Sequence, residues 1–98
     1  MSLALAPEHL AAVRDILKSH LPPSTKIWVF GSRATGKAKP FSDLDLAIDT
    51  GHPLTLEEAA ALRDAFSESD LPWKVDIVDT NAIDAGFRQQ ILSGASLL

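Results

Sequence analysis

The alternating run Asp43-Leu44-Asp45-Leu46-Ala47-Ile48 constrains the fold of this chain more than any other feature. Side chains along a β-strand point alternately to opposite faces, so the leucines and isoleucine would share one face and the two aspartates the other. Carboxylate oxygens are hard ligands, which favour Mg²⁺ or Mn²⁺ over zinc. The run therefore predicts a strand with one buried face and one acidic face suited to a divalent metal.

Upstream of this run, Lys26–Phe30 predicts a strand buried on both faces, and Gly31-Ser32 follows directly at its end. A glycine there allows a phosphate to approach the main chain closely, and the Ser32 hydroxyl and the amides of a short turn over Arg33–Gly36 could donate hydrogen bonds to it. Nearby basic residues add positive charge: Arg33, Lys37 and Lys39. We predict nucleotide phosphate contacts from Gly31, Ser32, Arg33 and Lys37.

If a hydroxyl group attacks the bound phosphate, a third carboxylate would be needed to hold and deprotonate that hydroxyl beside the metals. The later segment Trp73–Asp79 predicts another strand, with Val75 and Ile77 on one face and Asp76 on the other. Asp79 is out of phase with Asp76, and we interpret it as a turn residue or a cap for the next helix. Asp43, Asp45 and Asp76 are thus the candidate catalytic and metal-binding residues.

The order Gly31-Ser32, Asp43-Leu44-Asp45 and Val75-Asp76 resembles the minimal nucleotidyltransferases of the DNA polymerase β superfamily, in particular the MntA type of antitoxin. The resemblance covers nearly the whole chain. It implies a mixed sheet flanked by helices, two Mg²⁺ or Mn²⁺ ions on the carboxylates, and ATP with its phosphates on the Gly-Ser turn. It further implies a helical HEPN-domain toxin as partner, with AMP transferred from ATP to one of its tyrosines.

Length and composition agree with this interpretation. The 98 residues suffice for a single domain over 1–98, and the formal charge of −4 argues against direct binding of nucleic acid. Cysteine is absent, which removes disulfides and thiolate ligands. No apolar run approaches the length of a membrane span, and Met1–Ala6 lacks the basic start of a signal peptide, so we expect a cytoplasmic protein without a membrane interaction.

The remaining periodicity predicts three longer helices and an α/β (α+β) fold. The first opens at Pro7, carries Leu10, Val13, Ile16 and Leu17 on one face, and ends before Pro22-Pro23. The second runs from about Thr55 to Phe66, where Thr55 and Glu58 have the spacing of a capping box and Leu62, Ala65 and Phe66 could face the sheet. The third begins near Asn81, with a stripe at Ile83, Phe87 and Ile91 and a stop at Gly94. We expect Trp28 in the core, Trp73 free to pack on a partner, and surface positions for His9, His20 and His52.

Two functions stay open from the sequence. The first is a metal-dependent nucleotidyltransferase that acts as an antitoxin, with Asp76 acting on the attacking hydroxyl while Asp43 and Asp45 hold the metal-bound triphosphate. The alternative is a non-catalytic, nucleotide-binding-like module that neutralises a helical partner by occlusion. The acceptor, the base preference and a homo-oligomeric state are not decided by the sequence.

Overall fold

The structure is a computed structural model that describes residues 5–39 and 41–98. The prediction for the N-terminus falls partly on residues 1–4, which lie outside the described residues. The helices and strands are, in chain order, α1 Pro7–His20, β1 Lys26–Phe30, α2 Ser32–Thr35, β2 Leu44–Asp49, α3 Leu56–Ser67, β3 Val75–Asp79, α4 Ala85–Leu92 and β4 Ser96–Leu97.

The strands form one mixed sheet in the order β3-β2-β1-β4. The central pair, β1 and β2, is antiparallel, with Val29 opposite Leu46. On the outer sides, β3 runs parallel to β2 and β4 runs antiparallel to β1. A mixed sheet flanked by helices confirms the fold class predicted from the sequence.

The core lies between one face of the sheet and the helices α1 and α3. It joins the apolar residues of β2 (Leu44, Leu46 and Ile48) to Val13 and Leu17 of α1 and to Leu62 and Phe66 of α3. All of these side chains are buried. The period-two run of β2 and the helical stripes of α1 and α3 thus bury the faces that the sequence predicts.

The ends of α1 and α3 follow from local chemistry. Proline occupies the first turn of α1, where its missing N–H removes no helical hydrogen bond. At the start of α3, Thr55 Oγ1 accepts a hydrogen bond from Glu58 N (3.0 Å), and Glu58 Oε1 accepts one from Thr55 N (2.9 Å). This reciprocal capping box confirms the predicted start of the second long helix.

The third long helix begins later than predicted. α4 starts at Ala85 rather than near Asn81, because Asp84 caps it by accepting a hydrogen bond from Phe87 N at 2.9 Å. Ile83 therefore precedes the helix, and Phe87 is 45% exposed, so Ile91 alone of the predicted stripe is buried.

The predicted turn at Asp79 is confirmed, since its carboxylate accepts hydrogen bonds from Asn81 N (3.0 Å) and Leu54 N (2.7 Å).

Three further expectations were wrong in detail. In β1 only Val29 is fully buried, since α1 and α3 cover one face of the sheet and the short α4 covers only part of the other. The predicted turn after Gly31-Ser32 is the short helix α2. The two tryptophans differ from the prediction, since Trp73, expected to be exposed, is buried at 9% exposure, and Trp28, expected in the core, is only partly buried.

Within the two described ranges, no helix is long and apolar enough to span a membrane.

Candidate functional site

The predicted site residues gather at one end of the sheet. Because β1 is antiparallel to β2 and β3 is parallel to β2, the end of β1 meets the beginnings of β2 and β3. Gly31 directly follows β1, Asp43 directly precedes β2, and Asp76 is the second residue of β3. Chain topology therefore brings together segments that lie far apart in the sequence.

Register places two of the acids side by side on one face. Asp45 pairs with Phe30 of β1 on one side and with Asp76 of β3 on the other. Residues directly opposite each other on neighbouring strands share a face, so the carboxylates of Asp45 and Asp76 both lie on the face opposite the core. Asp43 lies two residues before Asp45 and is exposed.

Gly31 approaches the Asp45 carboxylate so closely that no side chain fits between them. Its backbone has φ 73° and ψ −154°, a region that glycine alone occupies readily. A Cβ atom built on Gly31 would overlap Asp45 Oδ2 and lie 3.2 Å from Asp45 Cγ. Glycine is therefore required at this position both by the backbone conformation and by the close approach of the Asp45 carboxylate.

The environment of Asp45 disfavours its charge. Burial raises the pKa of the Asp45 carboxyl, and the nearby carboxylates of Asp76 and Asp43 raise it further. The three acids are therefore close enough to interact electrically, and the ionised form of Asp45 would be stabilised by any cation placed beside it.

The short helix α2 follows the glycine. Its backbone hydrogen bonds begin where Ala34 N and Thr35 N donate to Gly31 O at 3.1 and 3.2 Å, so the Ser32 amide precedes the first bonded turn. Gly36 ends the helix in the left-handed conformation, and the Lys37 side chain beyond it is exposed. This arrangement is compatible with phosphate contacts from Gly31, Ser32 and Lys37, which stay a prediction.

Arg33 has a structural role that the sequence did not indicate. Although it belongs to α2, its side chain is 5% exposed, and its Nε and Nη2 atoms donate to the Ser42 carbonyl oxygen at 3.0 and 2.7 Å. Its guanidinium also lies 4.6 Å from the ring centre of Trp73, a cation–π contact. Arg33 therefore fixes the loop immediately before Asp43, and its predicted phosphate contact stays a prediction.

Burial and charge act in opposite directions on this arginine. Desolvation lowers the pKa of the Arg33 guanidinium, whereas the Asp43 carboxylate raises it. Trp73 also meets the ring of His9 edge to face, with the ring centres 5.6 Å apart, so this histidine is half-buried and not fully at the surface as predicted. The sequence carries no spacing signal for contacts among residues this far apart.

Comparison with known proteins decides the family. The sequence profile of the family described as "Polymerase beta, Nucleotidyltransferase" matches residues 12–98, most of the chain. The chain belongs to this nucleotidyltransferase family. It is 48% identical over 89 residues to "Probable protein adenylyltransferase MntA" of Haemophilus influenzae, which covers 91% of this chain and 77% of that protein.

Solved structures show the same nucleotidyltransferase fold. A toxin-antitoxin crystal structure with AMP-PNP superposes with a TM-score of 0.75 at 24% identity, covering 89% of this chain and 69% of the other. A protein described as a candidate minimal nucleotidyltransferase superposes with a TM-score of 0.69 at 33% identity, covering 97% and 98% of the two chains. These matches confirm the predicted polymerase β-like nucleotidyltransferase fold.

The three acids of the candidate site have the right chemistry for a divalent cation, but their side chains are not arranged around a common point. Asp43, Asp45 and Asp76 offer oxygen ligands of the kind Mg²⁺ or Mn²⁺ prefers. Within residues 5–39 and 41–98, however, no group of three or more His, Cys, Asp or Glu side chains is arranged to hold a metal ion. Asp76 Oδ1 instead lies 3.4 Å from Lys74 Nζ. Metal binding by the three acids therefore stays a prediction.

At the other end of β2, on the same face as Asp45, the charge of Asp49 is balanced by hydrogen bonds and an ion pair. Asp49 Oδ1 accepts hydrogen bonds from Gly51 N and Asn81 Nδ2, both at 2.8 Å, and Asp49 Oδ2 lies 3.2 Å from Arg88 Nη2. The pKa of the Asp49 carboxyl is lowered, chiefly by the hydrogen bond from Asn81 and then by that from Gly51. This cluster joins β2 to α4 and is structural, and no motif in the sequence indicated it.

Proposed function

We propose that this chain transfers AMP from ATP to a hydroxyl group of a partner protein, a tyrosine of a helical HEPN-domain toxin, and thereby acts as its antitoxin. The observation that carries the proposal is the cross-strand pair Asp45–Asp76, with the backbone of Gly31 packed directly against the Asp45 carboxylate. The 48% identity to a protein named as an adenylyltransferase supports the choice of AMP as the transferred group.

Each residue has a distinct task in this proposal. Ser32 and the backbone at Gly31 orient the triphosphate, while Lys37 adds positive charge. Asp43 and Asp45 would hold Mg²⁺ or Mn²⁺, which when bound supplies positive charge that stabilises the transferring phosphoryl group. Asp76 accepts the hydrogen bond and then the proton of the attacking hydroxyl.

The chemistry is an in-line displacement at the α-phosphorus of ATP. The acceptor oxygen forms a new bond to this phosphorus as the bond to the bridging oxygen of pyrophosphate breaks. The hydroxyl proton passes to Asp76, and pyrophosphate leaves with the electron pair of the broken bond. The product is an AMP ester of the acceptor side chain.

A second function remains open because the described acids are not arranged to hold a metal. In this alternative the chain neutralises its partner by occlusion and transfers nothing. Both functions predict a complex with a helical partner protein, which we expect to be encoded by the neighbouring gene, and they differ in whether the partner gains the mass of AMP.

The test compares Asp76→Asn with Asp70→Asn. Asp70 is exposed and lies in the loop before β3, so its substitution removes an equal charge outside the site. The co-encoded helical protein is incubated with each variant, ATP and Mg²⁺, and its intact mass is measured. We expect transfer by the parent and by Asp70→Asn, and none by Asp76→Asn, which should still form the complex. If Asp76→Asn protects cells as well as the parent while the partner stays unmodified, occlusion is the protective act.

A further inference from the structure

The outer edge of β3 presents backbone groups with no neighbouring strand. In the described part of the chain the sheet ends at β3, which pairs with β2 alone. Leu44 N donates to Lys74 O at 2.9 Å and Thr80 N donates to Ile48 O at 3.0 Å, so the even-numbered residues here direct their backbone groups to β2. The alternation of a strand therefore turns the N–H and C=O groups of Val75 and Ile77 outward.

A groove of about 710 Å³ runs along this edge, between β3 and the C-terminal half of α3. Its strand side consists of the consecutive residues 73–77, and its helix side includes Arg63, Asp64 and Ser67. Consecutive strand residues point to opposite faces, so a cavity that contacts all of them lies along the edge and not above one face. The groove is thus positioned to receive a chain that lies beside β3.

The groove is continuous with the candidate site through Asp76. This residue lines the groove, is the register partner of Asp45, and has a side chain that is 42% exposed. In a strand added beside β3, the residue opposite Asp76 would place its side chain on the same face as Asp76 and Asp45. A hydroxyl on that residue would therefore point to the carboxylates.

The charges of the groove match a polypeptide better than a nucleic acid. Arg63 and Lys74 are balanced by Asp64 and Asp76, so the lining carries no excess of positive charge for a phosphate backbone. The outward N–H and C=O groups of an edge strand, in contrast, are complementary to an extended peptide.

We propose that this groove binds the acceptor segment of the partner protein in extended conformation, as a strand added to the edge of β3. The segment's hydroxyl-bearing side chain lies opposite Asp76, where it meets the α-phosphate of ATP. This inference rests on the proposed function for the role of Asp76, and it adds where and in what conformation the acceptor is held.

The first test fills the groove from α3. Asp64→Trp places a large side chain in the groove, and the control Ala61→Trp places the same side chain at another exposed position of α3 that does not line it. We expect Asp64→Trp to keep the full rise in melting temperature with ATP and Mg²⁺, but to lose roughly tenfold or more in kcat/KM for transfer to the co-encoded helical protein. Ala61→Trp should match the parent in both.

The outcomes separate the two proposals. Undiminished transfer by Asp64→Trp would overturn the groove as the acceptor site. If ATP and Mg²⁺ fail to stabilise even the parent protein, the proposed function itself is refuted.

The second test measures amide hydrogen exchange by NMR at Val75 and Ile77. Because their N–H groups point outward, they should exchange quickly in the free protein and slow by roughly tenfold or more when the co-encoded helical protein is added. The amide of Leu46, in the sheet interior, is the internal control. Fast exchange at Val75 and Ile77 within a formed complex would overturn the proposal. If these two amides already exchange slowly in the free protein, and more slowly at higher protein concentration, a second copy of the chain occupies the edge, and the proposal is overturned as well.

Discussion

Replacing Gly31 by alanine tests the close approach of the turn to Asp45. Two costs are expected. The backbone at φ 73° and ψ −154° is strained for any other residue, which costs about 1–3 kcal/mol. In addition, the new methyl group would overlap Asp45 Oδ2, so the carboxylate must move away from its position opposite Asp76. The substitution therefore damages stability and the site together.

Gly36→Ala separates these two costs. Gly36 also has a positive φ, 78°, and ends the same short helix, but a Cβ atom built there meets nothing within 4 Å. It should lose about 1–2 kcal/mol from backbone strain alone. For a domain of this size, each kcal/mol lowers the melting temperature by roughly 4–8 °C.

Thermal unfolding with and without ATP and Mg²⁺ is the assay. A ligand at a hundredfold excess over its dissociation constant stabilises the folded state by about 2.7 kcal/mol, a rise of roughly 10–20 °C here. We expect Gly36→Ala to keep this rise from a lower starting temperature, and Gly31→Ala to lose most of it. If Gly31→Ala kept the whole nucleotide-dependent rise, the close approach of Gly31 to Asp45 would not be part of the nucleotide site.

Three further substitutions test the electrostatics and the loop. Burial and neighbouring acids raise the pKa of Asp45 in the folded state, so its ionisation destabilises the fold; Asp45→Asn should raise the melting temperature of the nucleotide-free protein at pH 7, with the gain vanishing below the ordinary carboxyl range. The pKa of Asp49 is lowered, so its contribution is present above the ordinary carboxyl range and is lost as the pH falls through the folded value; Asp49→Asn should lower the melting temperature at pH 7 and have no effect at low pH. Arg33→Lys keeps the charge but cannot form both hydrogen bonds to Ser42 and offers no planar guanidinium to the Trp73 ring, so urea unfolding should show a loss of about 1.5–3 kcal/mol; unchanged stability would mean that the charge alone matters.

The predictions from local patterns were the accurate ones. The alternating run of β2 fixes its buried face because its period matches the strand, and the Thr55–Glu58 pair fixes the start of α3 because both hydrogen bonds are local. β4 was not predicted, since Ser96–Leu97 is too short to show a period. The start of α4 was placed too early because the spacing from Ile83 to Phe87 fits a helix, although Asp84 between them is the cap.

For the candidate site, the sequence supplied the residues but not their neighbours. It placed Asp45 and Asp76 on strands, whereas their pairing depends on a register that only the folded sheet determines. The burial of Trp73 beneath Arg33 likewise depends on contacts between segments far apart in the chain, for which sequence spacing carries no signal.

Asp45 and Asp49 show how the surroundings, rather than the strand, set the chemistry of a carboxylate. Both lie on the same face of β2, yet the pKa of Asp45 is raised and that of Asp49 is lowered. The fold provides Asp49 with a hydrogen bond from Asn81 and an ion pair with Arg88, whereas it partly buries Asp45 and places it beside another acid, Asp76. A fold selected for stability alone gains nothing from the second arrangement. Because a bound cation would offset the cost of a partly buried carboxylate beside another acid, the raised pKa of Asp45 supports the proposal that this end of the sheet binds a cation.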